Sequence, residues 1–91
     1  MRLDARTDAN QKDIVTALRA VGCSVTLLHR VGAGCPDILV GNPRTGANLL
    51  LEIKMPGEKL NARERKWHAA WRGQVAIVES VEQAIELVSS R

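Results

Sequence analysis

The sequence predicts one α/β domain built on a mixed sheet, with the element order α-β-β-β-α-β-α. Three observations predict it. Segments at the start, middle and end carry helical periodicity or helix caps, and four short β-rich runs bounded by Gly, Pro and Asn lie between them. A length of 91 residues, 45% hydrophobic and 25% charged, allows one small core and excludes a disordered tail. No apolar run approaches the roughly 18 residues a membrane span requires, so no membrane partner is expected.

The elements follow in chain order. Residues 1–7 read as a frayed end of the single domain, residues 1–91. Ile14, Val15, Leu18 and Val21 recur at helical spacing between Asp8 and Val21, with Thr7 or Asp8 as the cap and Gly22 as the stop. Ser24 to His29 is β-rich, and Val31 to Pro36 is a glycine-bearing connection. Asp37 to Gly41 is a short apolar strand, followed by turn chemistry at Asn42-Pro43-Arg44-Thr45-Gly46. Asn48 to Lys54 is the next strand, whose Leu-Leu-Leu-Glu-Ile run predicts burial on both faces. After a loop over Met55 to Lys59, Asn61 caps a helix reaching Trp71 or Arg72. Gln74 to Val78 is the last strand, and Ser80 with Gln83 three residues on marks a final helix through Val88.

A core of Leu, Val, Ile, Ala and two Trp, with no Phe or Tyr, is thin for a monomer, and self-association is expected. The net charge is only +3, but Lys54, Lys59, Arg63, Arg65, Lys66 and Arg72 cluster against Glu58 and Glu64 alone. That segment is either a face for a polyanion or a solvated helix face. Cys23 and Cys35 lack metal-ligand or disulfide spacing, and the charged start lacks a signal-peptide core, so free thiols in a reducing, cytoplasmic compartment are expected.

The most informative residues are Asp37, Glu52 and Lys54, charges set in otherwise apolar strands. Ionised groups are almost never buried unless paired or bound to metal. A hairpin about residues 42–47 pairs residues whose numbers sum to 89, which sets Asp37 against Glu52 with Cβ atoms about 5 Å apart. Lys54 lies two residues beyond Glu52, on the same face. Two carboxylates held so close call for a cation, and hard oxygen donors suit Mg²⁺ or Mn²⁺, with the Ile53 backbone carbonyl as a further ligand. Lys54 beside them would act on an attacking water or on charge developing at phosphorus, which fits metal-assisted phosphodiester hydrolysis. The competing reading is a structural Glu52–Lys54 or Asp37–Lys54 ion pair.

Gly34-Cys35-Pro36-Asp37 followed by Glu52-Ile53-Lys54 resembles the Pro-Asp…(Asp/Glu)-x-Lys signature of restriction-endonuclease-like nucleases, the PD-(D/E)XK superfamily. The fuller pattern over Val31 to Val40, Leu49 to Lys54 and Trp67 to Val78 resembles the virus-type replication-repair nuclease (VRR-NUC) family. The resemblance implies a central mixed sheet flanked by helices, with Asp37 and Glu52 as metal ligands and Lys54 as the catalytic lysine. It implies Mg²⁺- or Mn²⁺-dependent DNA cleavage without a nucleotide cofactor, in a homodimer similar to the Holliday junction resolvases. A phage- or prophage-encoded repair nuclease acting in a bacterial cytoplasm fits that family. Flap, gapped or ordinary duplex DNA are alternative substrates, and a non-catalytic DNA-binding module of the same fold is the alternative of a different class.

Two departures stand out. The family often carries a Glu on the first helix near the metal, whereas this chain has no Glu before Glu52; Asp8 is the substitute, which serves equally as a helix cap, with Gln11 nearby. It also tends to carry a Gln in the helix after the lysine, where this chain has Glu64, which either points away or assists the metal site. Arg30, Lys59, Arg63 and Lys66 are candidate phosphate contacts. Gly32 and Gly34 either admit a DNA backbone or merely shape the turn before Asp37. Trp67 and Trp71 form an apolar stripe with Leu60, expected in the core or a dimer interface, and His68 beside them reads as a satisfied surface residue outside the catalytic set.

Overall fold

The computed structural model describes residues 5–91. Its elements run α1 (Ala5–Ala20), β1 (Ser24–Leu27), β2 (Ile38–Gly41), β3 (Asn48–Ile53), α2 (Ala62–Ala70), β4 (Val75–Val78) and α3 (Val81–Ser89), the order the sequence predicts. The strands form one sheet in the order β1-β2-β3-β4, antiparallel except for the parallel β3–β4 pair.

Alternation along β3 sorts the two layers. Leu49, Leu51 and Ile53 point to the face covered by α1 and α3, and join Ile14, Val15 and Leu18 of α1, Ile38 and Val40 of β2, Val78 of β4, and Ala84 and Val88 of α3 in the core. Leu50 and Glu52 point to the opposite face, yet both are buried, so β3 is covered on both sides as its apolar run predicts. The β2–β3 ladder has the expected register, with Ile38 opposite Leu51 and Val40 opposite Leu49.

Several element ends differ from the sequence reading, each for a local reason. α1 is already helical at Ala5, so Thr7 and Asp8 are inside the helix rather than caps, and residues 5–7 are ordered as helix; residues 1–4 of the expected frayed end lie outside the described residues. β1 ends at Leu27 because the chain turns over residues 29–31, while the Leu28 N–H donates to the Asp37 carbonyl at 2.8 Å. β2 begins after Asp37, whose side chain has been recruited elsewhere. α2 ends at Ala70 with Trp71 as its C-cap, and Asn61 and Glu64 form the reciprocal capping box at its start. Ser80 caps α3 by accepting from the Gln83 N–H at 3.1 Å, whereas the Gln83 side chain accepts from the Glu79 N–H rather than from that of Ser80. Among the described residues no helix is long and apolar enough to cross a membrane.

One polar side chain ties the core layer to the end of the sheet. Asn10 of α1 donates from Nδ2 to the carbonyls of Lys54 at 3.1 Å and Glu79 at 3.0 Å. It thereby fixes the chain where β3 and β4 both end, next to the charged residues.

Candidate active site

The β2–β3 hairpin ends at the charged cluster. Leu50 and Lys54 donate their N–H groups toward the β4 side, to the carbonyls of Gln74 and Val78, so the alternate residue Ile53 addresses the β2 side. There the backbone of β2 has turned away, and the Asp37 carboxylate takes its place, accepting the Ile53 N–H at 2.6 Å. Asp37 and Glu52 are close enough to share a side-chain hydrogen bond. The ladder itself stops at Ile38 opposite Leu51, so Asp37 reaches Glu52 through its side chain rather than as a paired strand residue.

The electrostatics are those of two carboxyl groups crowded together out of water. Burial, then the Asp37 charge beside it, pushes the Glu52 carboxyl up to about 9. Asp37 is also raised, by burial, although the Ile53 N–H, the Glu52 carboxyl and the Lys54 charge pull it down. Burial therefore disfavours the charged form of both carboxyls, and each charge makes ionisation of Glu52 harder still.

Lys54 is only 7% exposed. Its Nζ donates to Glu64 Oε1 at 2.8 Å and lies 3.6 Å from Glu58 Oε2. Burial acts to lower its pKa, but the bond to Glu64 and the charges of Glu64, Glu52 and Glu58 outweigh that and raise it. Burial acts to raise Glu64, but Lys54 and the Asn61 N–H outweigh it and hold the carboxyl below the usual range. Of the two possibilities left for Glu64, the structure shows it facing the site, not pointing away.

His68 is not legible from the sequence as a site residue. Its Nε2 lies 3.4 Å from Glu52 Oε1, with only 13% of its side chain exposed, and burial lowers its pKa. The one signal that could have found it is its position one turn after Glu64 on the same helix face.

The other candidates are distributed differently. Asp8 is exposed, lining a surface groove with Gln11, Lys12, Thr16, Arg19 and Leu27, and the structure does not bring it to the Asp37–Glu52 pair. The α1 residues that face the site end are Asn10 and Thr7, whose hydroxyl donates to Glu58 at 3.3 Å. Among the described residues no three His, Cys, Asp or Glu side chains form a metal-holding group. Arg30, Lys59, Arg63 and Lys66 are exposed. Gly32, Ala33 and Gly34 all have positive φ, at 73°, 56° and 84°. A Cβ on Gly34 would overlap the Arg63 carbonyl, so glycine there lets the loop lie against the backbone of α2, whereas a Cβ on Gly32 would meet nothing within 4 Å. Trp67 and Trp71 stack on each other with centroids 4.8 Å apart, but no residue of α2 is buried, so the stripe is not part of the protomer core. Cys23 and Cys35 are free thiols.

The donor set fits a hard divalent cation. The Asp37 and Glu52 carboxyls lie together at the end of β3, and their mutual repulsion is what such an ion would relieve.

No family model matches the sequence. No curated protein matches it either. A solved VRR_NUC domain matches in structure with a TM-score of 0.77 and 26% sequence identity, covering 94% of this chain and 97% of that one. Over nearly its whole length, therefore, this chain has the fold of a VRR-NUC nuclease domain, as its Pro-Asp…Glu-Ile-Lys motif implies.

Proposed function

We propose that the protein is a divalent-metal-dependent, structure-selective DNA endonuclease, acting as a homodimer similar to a Holliday junction resolvase. The observation that carries this reading is the Asp37–Glu52 carboxyl pair, set beside the Lys54 ammonium at the end of a buried hairpin. A structural protein gains nothing from two mutually repelling buried carboxyls, whereas a metal-dependent hydrolase requires them.

Asp37, Glu52 and the Ile53 carbonyl would hold Mg²⁺ or Mn²⁺. When bound, such an ion polarises a phosphate oxygen and lowers the pKa of a water molecule. Asp37 is pinned by the Ile53 N–H, which orients its free oxygen. Lys54 is kept charged by Glu64, so it serves as a fixed positive charge facing the scissile phosphate rather than as a proton acceptor. Arg30, Lys59, Arg63 and Lys66 would contribute phosphate contacts that carry no sequence information, as suits recognition of DNA shape.

Dimerisation is supported by the apolar surface on the α2 side of the sheet. Leu39 and Ile77 oppose Leu50 and Glu52 in the ladders and so share their face. Both are exposed, as is Trp71 at 45%. A two-fold pair would present two sites to opposed strands of a branched DNA.

The test is cleavage of an end-labelled four-way junction, flap, gapped duplex and linear duplex in Mg²⁺, Mn²⁺ and EDTA. Paired nicks on opposed strands of the junction, absent in EDTA and from linear duplex, are the expected result. Cutting confined to the flap or gapped substrate would replace the resolvase assignment. No cutting of any substrate in either metal would overturn the nuclease reading.

A further inference from the structure

α2 reaches the catalytic strand through two side chains. None of its residues is buried. The two lie one turn apart and on one face: Glu64 Oε1 accepts the Lys54 ammonium at 2.8 Å, and His68 Nε2 lies 3.4 Å from Glu52 Oε1. These side chains are 14% and 13% exposed, while Arg63, Arg65 and Lys66 beside them face solvent. Glu64 is itself immobilised, because the same Oε1 accepts the Asn61 N–H at 2.8 Å and its own N–H donates to the Asn61 side chain at 2.9 Å. The backbone at Arg63 is seated against Gly34, in the loop that delivers Asp37.

We propose that Glu64 and His68 are positioning residues for the reaction, making α2 a clamp in which Glu64 places the Lys54 ammonium and His68 places the Glu52 carboxylate. The inference rests on the nuclease reading above. With the proton on Nε2, His68 holds Glu52 through Oε1, the arrangement by which an outer hydrogen bond fixes the orientation of a ligating carboxylate. Glu64 keeps Lys54 from ion-pairing with Asp37 or Glu52, the structural pairing that would quench the site. The exposed Arg63 and Lys66 lie on the same helix, so a DNA backbone drawn to them bears directly on the clamp.

The helix also carries its own reporter. The two tryptophans of the chain are Trp67 in α2 and Trp71 at its C-cap, stacked with an interplanar angle of 18°, and the His68 ring lies 6.0 Å from Trp67. Near-ultraviolet circular dichroism therefore reads the clamp without any assay of activity.

The experiment compares His68→Ala and Glu64→Ala with the conservative His68→Gln and Glu64→Gln, which keep a donor and an acceptor respectively. Single-turnover cleavage over a range of DNA concentrations and the tryptophan spectrum are recorded for each, together with Mn²⁺ affinity. The alanine variants should lose about 10–100-fold in rate at saturating DNA, with the half-saturating DNA concentration little changed, and weaken Mn²⁺ binding for His68→Ala by a similar factor. The glutamine variants should recover most of the rate and the native tryptophan spectrum. Alanine variants that cut at the wild-type rate, a loss confined to DNA affinity, or glutamine variants no better than alanine would overturn the clamp. Should the wild-type protein cut no DNA, the nuclease reading fails separately, and Mn²⁺ affinity decides the clamp: weaker binding by His68→Ala supports it, unchanged binding refutes it.

Discussion

Replacing Asp37 by Asn is expected to reduce DNA cleavage by about 1000-fold or more, equivalent to roughly 4 kcal/mol of transition-state stabilisation, while leaving the fold intact. The two halves of that expectation have separate causes. The loss follows because a neutral amide replaces one of the two carboxylates proposed to hold the metal. The fold survives because the structural task of Asp37 is to accept the Ile53 N–H at 2.6 Å, and the carbonyl oxygen of an asparagine accepts it equally. Exchanging a charge-assisted for a neutral hydrogen bond costs about 1 kcal/mol, offset by removal of a repelling charge beside Glu52. Single-turnover kinetics and a thermal melt on the same preparation separate the effects. Full activity in the variant would remove Asp37 from the site, and an unfolded variant would mean its structural role had been underestimated.

Replacing Glu52 by Gln should likewise abolish cleavage, and yet make the metal-free protein more stable. In the folded chain the Glu52 carboxyl is pushed up to about 9 from an ordinary value of 4.5. A carboxyl raised on folding contributes stability that is complete below its unfolded pKa and is lost as pH rises through its folded one. The metal-free wild type should therefore lose stability progressively from about pH 5 to pH 9. A glutamine side chain at this position neither ionises nor repels Asp37, so the slope should flatten. The Glu52→Gln variant should then melt several degrees higher than the wild type at pH 8, and at the same temperature or lower at pH 4. Thermal melts in EDTA from pH 4 to pH 9 check this. A wild-type melting temperature independent of pH would mean that folding does not raise the Glu52 carboxyl.

Much of this site can be read from the sequence, because its central relation is local. The turn at Asn42 to Gly46 sets the hairpin sum, and the observed register from Ile38 opposite Leu51 to Gly41 opposite Asn48 has that sum, which brings Asp37 to the Glu52 end without knowledge of any other element. The Asn61 cap and the double burial of β3 are legible for the same reason, being properties of a few consecutive residues, although the reciprocal box forms at Asn61 with Glu64 and only half of one forms at Ser80. What the sequence conceals depends on long-range docking. Asn10 reaches Lys54 and Glu79 across the fold, and nothing in the helical period of α1 singles it out from Asp8. His68 looks like a surface residue until β3 places Glu52 beneath it. The Trp67–Trp71 stripe has the spacing of a buried face, yet α2 turns its Glu64–His68 face to the sheet, because Lys54 and Glu52 are what that face meets. Helical periodicity shows that a stripe exists, not which charged partners compete for the docking surface.

Whether Asp37 and Glu52 together hold a divalent cation is tested most directly by titration with Mn²⁺, followed through the paramagnetic resonance signal of the free ion. Saturable loss of that signal is expected in the wild-type protein, competed by Mg²⁺, with greatly weakened binding in both Asp37→Asn and Glu52→Gln. Wild-type protein that leaves the free Mn²⁺ signal untouched at millimolar ion, or variants that bind as tightly as the wild type, would contradict it.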